Sequence, residues 1–242
     1  MRSFFKITAV FILLTLILEA DTIADAKEAY AKGDLNKTVE LSRTACESGN
    51  SDGCAVIGYL YNEGEGVEQD YERALEFFEK SCNGGNENGC HNLGVMYDTG
   101  KGVKQDYAKA AALYKKSCDY EYADSCDSLA YMYQQGIGIK QDYFKALELY
   151  TRACNGGNID SCHLMAYMYA EGDGTKQDLQ KAIDIFKKLC IQNNADSCAS
   201  LGLMHEIGKG VKSDTKKALE YYDKACRLNL PQGCNGYGRL KK

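Results

Sequence analysis

Residues 82–118 read CNGGNENGCHNLGVMYDTGKGVKQDYAKAAALYKKSC and contain the pattern that decides the fold. From Cys90, small and apolar residues recur three or four positions apart, as they do on one face of a helix. Gly100 suits the left-handed end of that helix, and Asp106 suits the N-cap of a second helix that runs to Cys118. The stretch therefore predicts a helix-turn-helix unit, in which a helix A is followed by a helix B.

The same unit recurs every 36 residues without an insertion, and this aligns columns of cysteine, aspartate, glycine and alanine. The two cysteine columns are Cys46, Cys82, Cys118, Cys154, Cys190 and Cys226, and Cys54, Cys90, Cys126, Cys162, Cys198 and Cys234. A column of small residues in helix A contains Gly58, Gly94, Ala130, Ala166 and Gly202. A repeat of this length predicts an all-α fold, in which TPR-like helix pairs stack into a right-handed α/α superhelix, a solenoid without a sheet.

The repeat also predicts the boundaries along the chain. Residues 1–20 are typical of a signal peptide, because a positive start precedes an apolar run over 7–18 that is too short to span a bilayer comfortably. An uncleaved N-terminal anchor is the alternative. We expect an N-terminal capping repeat over 21–53 and a C-terminal cap over 234–242. Between them lie five repeats, over 54–89, 90–125, 126–161, 162–197 and 198–233.

The charge of the chain argues against some classes of partner. The formal net charge is −5, and it becomes −6 without residues 1–20, where Arg2 and Lys6 outnumber Glu19. A mildly acidic chain with scattered Lys and Arg is a poor candidate for nucleic-acid binding. No later segment is apolar enough to cross a membrane. We therefore expect no nucleic-acid partner, no membrane contact after signal cleavage, and a secreted or periplasmic location in a bacterial envelope.

Twelve cysteines behind an export signal predict disulfides. Two pairings fit the helix geometry: Cys-x7-Cys between a helix B and the next helix A, or closure of one hairpin, as in Cys54–Cys82. Only the first uses all twelve cysteines, since the second leaves Cys46 and Cys234 at opposite ends of the array. The predicted pairs are Cys46–Cys54, Cys82–Cys90, Cys118–Cys126, Cys154–Cys162, Cys190–Cys198 and Cys226–Cys234. Zinc sites and redox dithiols favour closer pairs such as Cys-x2-Cys, which the sequence lacks, so we expect neither a metal nor a cofactor.

The unit resembles a known family. Cys-x7-Cys, Leu-Gly-x-x-Tyr and Gly-x-Gly-Val-x-Gln-Asp-Tyr in residues 82–118 resemble the Sel1-like repeat, and the cysteine pair resembles the Hcp family of secreted, cysteine-rich Sel1-like proteins. Departures are local, because Glu121 and Asn193 replace a loop glycine and His205 replaces a tyrosine of helix A. The resemblance implies an α/α superhelix and a weak β-lactamase or penicillin-binding activity, although a shared fold does not transfer chemistry.

The residues themselves show no motif for that activity. Ser-x-x-Lys occurs at Ser213–Lys216, at the start of a helix B, without the partner motifs Ser-Asp-Asn and Lys-Thr-Gly. A zinc enzyme needs clustered histidines, but the three histidines lie in separate repeats, and we interpret them as exposed helix residues. They are His91, His163 and His205. The catalytic residues are therefore unknown, and the question of enzyme activity stays open.

Binding is the alternative function. Positions that vary between repeats are candidates for a binding surface, because the shared positions build the core. Tyr59, Tyr131 and Tyr167 occupy one such column of helix A, where they either anchor a ligand on the concave face or pack between helices. We therefore predict a protein or peptide partner, with a β-lactam or a cell-wall-related small ligand as the other candidate.

Overall fold

The structure, a computed structural model, describes residues 22–242, so the predicted signal peptide over 1–20 lies outside the described residues. Within this range thirteen helices follow one another and no strand occurs. The first helix, α1, covers 22–31. The others are α2 (Leu35–Glu47), α3 (Ser51–Glu63), α4 (Tyr71–Asn83), α5 (Glu87–Thr99), α6 (Tyr107–Asp119), α7 (Ala123–Gln135), α8 (Tyr143–Asn155), α9 (Ile159–Glu171), α10 (Leu179–Ile191), α11 (Ala195–Ile207), α12 (Thr215–Arg227) and α13 (Pro231–Leu240). The prediction of an all-helical repeat fold is confirmed.

The described residues form two compact units, 22–122 and 123–242. Odd-numbered helices are helices A and even-numbered helices are helices B. Within each unit, every helix from α2 onwards packs against the next one along the chain. Helices A also contact each other across repeats, as α3 does with α5 in the first unit and α11 with α13 in the second. Each unit therefore has a layer of helices A beside its layer of helices B.

Short polar side chains set the helix ends. Each helix B follows an aspartate whose carboxylate accepts a hydrogen bond from a backbone N–H of the first turn, as Asp106 does from Lys109 at 3.0 Å. Most helices A follow an asparagine that does the same, and they begin three residues before the cysteine at which the sequence pattern starts. Gly100 ends α5 in the left-handed conformation at φ 74°, which residues other than glycine seldom adopt.

Helix A lies close to helix B because one of its positions stays small. A Cβ added to Gly94 would lie 2.8 Å from the Tyr114 ring, and one added to Gly202 would lie 2.7 Å from the Tyr222 ring. Ala166 at the same position is fully buried. The column of small residues is therefore a packing requirement of the hairpin.

Within each unit, disulfides join a helix B to the next helix A. Five Cys-x7-Cys pairs have Cα atoms 4.4 to 4.8 Å apart. They are Cys46–Cys54, Cys82–Cys90, Cys154–Cys162, Cys190–Cys198 and Cys226–Cys234. Cys118 and Cys126 are disulfide-bonded as well, so no cysteine of the described residues is a free thiol.

Lysine side chains add a second link between repeats. Lys116 Nζ lies 2.7 Å from the carbonyl oxygen of Cys82, and Lys224 Nζ lies 2.6 Å from that of Cys190. In both cases a cation meets the negative end of the preceding helix B, which is favourable for the helix dipole.

Candidate binding surface on the helices A

A groove lies on the helix A side of the first unit, with a volume of about 500 Å³. Its lining residues come mainly from α1, α3 and α5 and are Ala26, Lys27, Tyr30, Asp52, Ala55, Val56, Tyr59, Leu60, Asn86, Glu87, Asn88 and Asn92. Ala26 and Leu60 are fully buried, whereas Tyr30 and Tyr59 keep exposed rings. An apolar floor with a few polar side chains at its edge is the usual composition of a ligand site.

Hydrogen bonds hold the walls of this groove in place. The Tyr30 hydroxyl donates to Oε2 of Glu65 at 2.9 Å, and mainly this bond raises the pKa of Tyr30 to about 12. Asn86 donates to Asp52 Oδ1 at 2.7 Å, while its own Oδ1 accepts from the Gly89 N–H at 2.8 Å. Since Asn86 caps α5 and also holds α3, two of the three helices that line the groove are fixed to each other.

A second groove, of about 410 Å³, occupies the equivalent place in the second unit. Its lining residues from α11 are Asp196, Ala199, Ser200 and Leu203, which lie four repeats after Asp52, Ala55, Val56 and Tyr59. The helix A surface therefore forms a groove at the same place in both units.

An ion pair borders the second groove at its α13 side. Arg239 forms an ion pair with Glu206 and lowers the pKa of that carboxyl, and Tyr222 donates to Glu206 Oε2 at 2.8 Å. Burial and this hydrogen bond together raise the pKa of Tyr222 to about 12. At neutral pH the Tyr222 phenol therefore stays protonated and the Glu206 carboxyl stays ionised.

Acidic and basic side chains are distributed unequally between helices A and helices B. The five full-length helices A carry ten Asp or Glu and no Lys or Arg. The helices B from α4 to α12 carry fourteen Lys or Arg and eight Asp or Glu. The basic residues are scattered along the chain, but among the helices of the repeats they lie on helices B and not on these five helices A. Counting charge separately for the helix A and helix B stretches of each repeat would have revealed the division.

The three tyrosines that the sequence predicts as a binding surface are divided between the two units. Tyr59 belongs to the first unit, is 39% exposed and lines its groove. Tyr131 on α7 and Tyr167 on α9 belong to the second unit and are 50% and 47% exposed. Leu203 on α11 continues their column and is also exposed. Packing between helices leaves all of these side chains accessible, and their role in binding stays a prediction.

Polar bonds connect successive helices A in the second unit. Ser161 Oγ donates to Asp127 Oδ1, and Asn158 donates to Asp124 Oδ1 at 3.0 Å. His163 Nδ1 lies 2.9 Å from Ser197 Oγ. Burial raises the pKa of the Asp127 carboxyl, and the neighbouring carboxylates raise it further. The hydrogen bond from Ser161 acts in the opposite direction and lowers it.

The sequence profile of the Sel1 repeat matches residues 51–86, 88–119, 123–158, 159–194 and 195–230, which together exceed half of the chain. The chain belongs to the Sel1 repeat family. It contains five Sel1 repeats, and α1 with α2 precede the first of them.

Solved structures agree with this fold. A protective antigen of uropathogenic Escherichia coli strains, which displays an SLR fold, matches 92% of this chain with a TM-score of 0.84 and 26% identity. This chain spans 48% of that antigen, about half its length. A Sel1 repeat protein from Oxalobacter formigenes matches 91% of this chain, and 85% of its own, with a TM-score of 0.79 and 24% identity. Helicobacter pylori cysteine rich protein B is 32% identical over 55% of this chain and 96% of its own, with a TM-score of 0.42. No curated protein matches the chain significantly.

The Sel1 register explains Ser213. In the four preceding repeats a glutamine at this position donates to a carbonyl near the end of helix A, as Gln105 does to Asp98 at 2.6 Å. Ser213 Oγ donates to the Glu206 carbonyl at 3.0 Å and so performs the same structural task. Another serine, Ser197, lies next to His163. It is fully buried, so a substrate cannot reach its hydroxyl.

The expectation of exposed histidines is wrong. His205 is only 6% exposed, and it occupies the position at which the other Sel1 repeats hold a tyrosine, of which Tyr61 is likewise buried. His91 is partly buried and packs against the rings of Tyr114 and Tyr122, and His163 packs against Phe186. Burial lowers the pKa of His163 and of His205. Aromatic neighbours in the same repeat therefore account for all three side chains.

No group of three His, Cys, Asp or Glu side chains in residues 22–242 has the geometry to hold a metal ion. None of the helices in the same range is long and apolar enough to cross a membrane.

Proposed function

We propose that the protein is a non-enzymatic scaffold that binds another protein or a peptide through its helices A. The observation that carries the proposal is the row of exposed side chains at one helix A position in the second unit. Tyr131, Tyr167 and Leu203 recur at this position in three successive helices A. Large apolar side chains that are scattered singly over a surface need no explanation, but a row of them marks an interaction site.

The grooves support the same proposal. Their volumes of about 500 and 410 Å³ suit a side chain or a short peptide segment. Asn88 and Asn92 at the first groove present amide groups, and an amide both donates and accepts, as a peptide bond does. Repeat arrays commonly use such extended surfaces for partners.

The disulfides indicate the compartment in which the protein binds its partner. They form and persist in an oxidising, extracytoplasmic environment, whereas the cytoplasm keeps thiols reduced. Secretion or a periplasmic location, after removal of a signal peptide, is part of the proposal.

The β-lactamase activity that the Hcp resemblance implies has weaker support. A serine enzyme needs an accessible hydroxyl next to a base, but the hydroxyl of Ser213 is occupied as a helix cap and Ser197 is buried. A β-lactam or a cell-wall fragment is of a size to occupy a groove as a ligand without being hydrolysed.

The test is affinity capture of envelope or host proteins with wild type and with Tyr59→Ala/Tyr131→Ala/Tyr167→Ala. We expect the triple variant to lose the captured partner. The matched control is Tyr107→Ala/Tyr143→Ala, because these tyrosines are similarly exposed but begin helices B. Equal capture by wild type and the triple variant would remove the helix A surface from the proposal.

A chromogenic β-lactam assay tests the enzyme alternative. We expect no turnover above the uncatalysed rate. Turnover that Ser213→Ala or a chelator abolishes would contradict the scaffold proposal.

A further inference from the structure

The second unit presents a surface that is both acidic and aromatic, here called the acidic row. It consists of the side chains Asp124, Asp127, Tyr131, Asp160, Tyr167, Asp196 and Leu203 of α7, α9 and α11. We propose that the acidic row binds an extended peptide segment that carries several Arg or Lys side chains. This inference rests on the proposed function and specifies the chemistry of the partner.

No Lys or Arg side chain in residues 22–242 forms an ion pair with any of these four aspartates. The helices α7, α9 and α11 contain no Lys or Arg, and none of the four makes an ion pair with a described side chain. Basic residues do reach the other end of the same helices, where Lys209 pairs with Glu171 and Arg239 pairs with Glu206. Among the described residues, the carboxylates near the C-terminal ends of α9 and α11 thus have a counter-ion, whereas those near the N-terminal ends have none.

Helix stabilisation accounts for only part of the acidic row. Asp124, Asp160 and Asp196 lie in first turns, where a negative charge is favourable for the helix dipole. Asp127 lies beyond the first turn of α7, is partly buried and has Asp124 and Asp160 as neighbouring charges. A carboxylate that is placed among like charges gains most from a cation that arrives with a ligand.

The exposed tyrosines complement these carboxylates. A guanidinium stacks on the face of a tyrosine ring and pairs with a carboxylate in two parallel hydrogen bonds, so Tyr131 and Tyr167 suit the same side chain as the aspartates do. Because the arrangement recurs in successive repeats, the matching ligand is a chain with cations at intervals.

The test is fluorescence anisotropy with the labelled peptide (Arg-Gly-Ser)3, at low and at physiological ionic strength. The variant Asp124→Asn/Asp127→Asn/Asp160→Asn/Asp196→Asn keeps an oxygen that accepts the Ser161 and Asn158 bonds and removes four charges. We expect it to bind the peptide at least tenfold more weakly than wild type, and we expect (Glu-Gly-Ser)3 not to bind.

The matched control removes the same charge from helices B of the same unit. It is Glu148→Gln/Asp184→Asn/Glu220→Gln/Asp223→Asn, from α8, α10 and α12. We expect less than a twofold change in peptide affinity, and circular dichroism confirms that both variants are folded. An equal loss in both variants would show attraction by net charge alone and would overturn the inference, as would a wild type that does not bind the peptide.

Two outcomes separate this inference from the proposed function. If Tyr131→Ala/Tyr167→Ala loses a captured partner that the four-Asn variant retains, the scaffold stands and the cationic ligand is wrong. If light scattering shows that wild type self-associates and the four-Asn variant does not, the basic helices B of a second copy are the occupant instead, and the peptide proposal fails.

Discussion

His205→Tyr should stabilise the last full repeat, because His205 occupies a tyrosine environment. In the first Sel1 repeat, Tyr61 stacks on Phe77 with ring centroids 5.6 Å apart, and its hydroxyl accepts hydrogen bonds from Arg43 and Arg73. Four repeats later the same positions hold His205, Tyr221, Lys187 and Lys217. His205 stacks on Tyr221 with ring centroids 5.5 Å apart, but its buried Nδ1 has no hydrogen-bond partner among residues 22–242.

The structure indicates the size of the gain. A buried polar atom without a partner costs about 1–3 kcal/mol. A lysine over a tyrosine ring, as Lys181 lies over Tyr169 at 4.0 Å, adds about 0.5–1 kcal/mol. Since repacking around the larger ring offsets part of this, we expect a net gain of about 1–2 kcal/mol, or about 2–8 °C in Tm.

The gain should grow as the pH falls. Burial, and then the charge of Lys217, lower the pKa of His205 below its unfolded value of about 6.5. Below that pH the unfolded chain binds a proton that the native chain resists, so wild type loses stability as the pH falls through the unfolded pKa. Tyrosine has no such titration, and His163 contributes equally to both proteins.

The assay is chemical denaturation of wild type, His205→Tyr and His205→Phe at pH 5 and pH 8. The phenylalanine variant should show the pH effect without the contribution of the hydroxyl, and therefore a smaller gain at pH 8. A His205→Tyr protein that is no more stable than wild type at pH 8, or a gain that is equal at both pH values, would refute the reasoning.

Three further predictions concern the loops and a disulfide. Glu121 has φ 66°, so Glu121→Gly should raise the free energy of unfolding by about 0.5–1 kcal/mol in urea denaturation, and a loss would contradict the strain argument. Cys226→Ala/Cys234→Ala opens a loop of sequence separation 8 and should cost about 2.5 kcal/mol, with faster amide exchange in α13. Unchanged exchange there would show that α13 is held by packing alone. Ser213→Gln restores the side chain that the other repeats use, so thermal denaturation should show equal or higher stability, and a marked loss would argue for another role of this serine.

Local signals in the sequence were sufficient for the repeat and its helices. Asp106 predicted the start of a helix B and Gly100 the end of a helix A, because capping and left-handed glycine depend only on neighbours in the chain. The start of helix A differs by three residues, since the sequence pattern begins at Cys90 whereas α5 begins at Glu87, after its cap Asn86. The pairing of cysteines followed from counting, and the bonded pairs of the structure have that spacing.

The surface depended on contacts between repeats. Tyr131 and Tyr150 are both tyrosines in an amphipathic pattern, yet one is half exposed and the other is fully buried. The sequence predicts an exposed His205 and a Ser-x-x-Lys spacing at Ser213, because a single stretch of sequence does not show the helix or carbonyl that lies beside each of them. The sequence by itself therefore determined the repeat, its helix ends and its cysteine spacing, all of which are local. Only the tertiary structure decided which side chains of that repeat are left facing solvent, because burial depends on neighbours that lie tens of residues away in the chain.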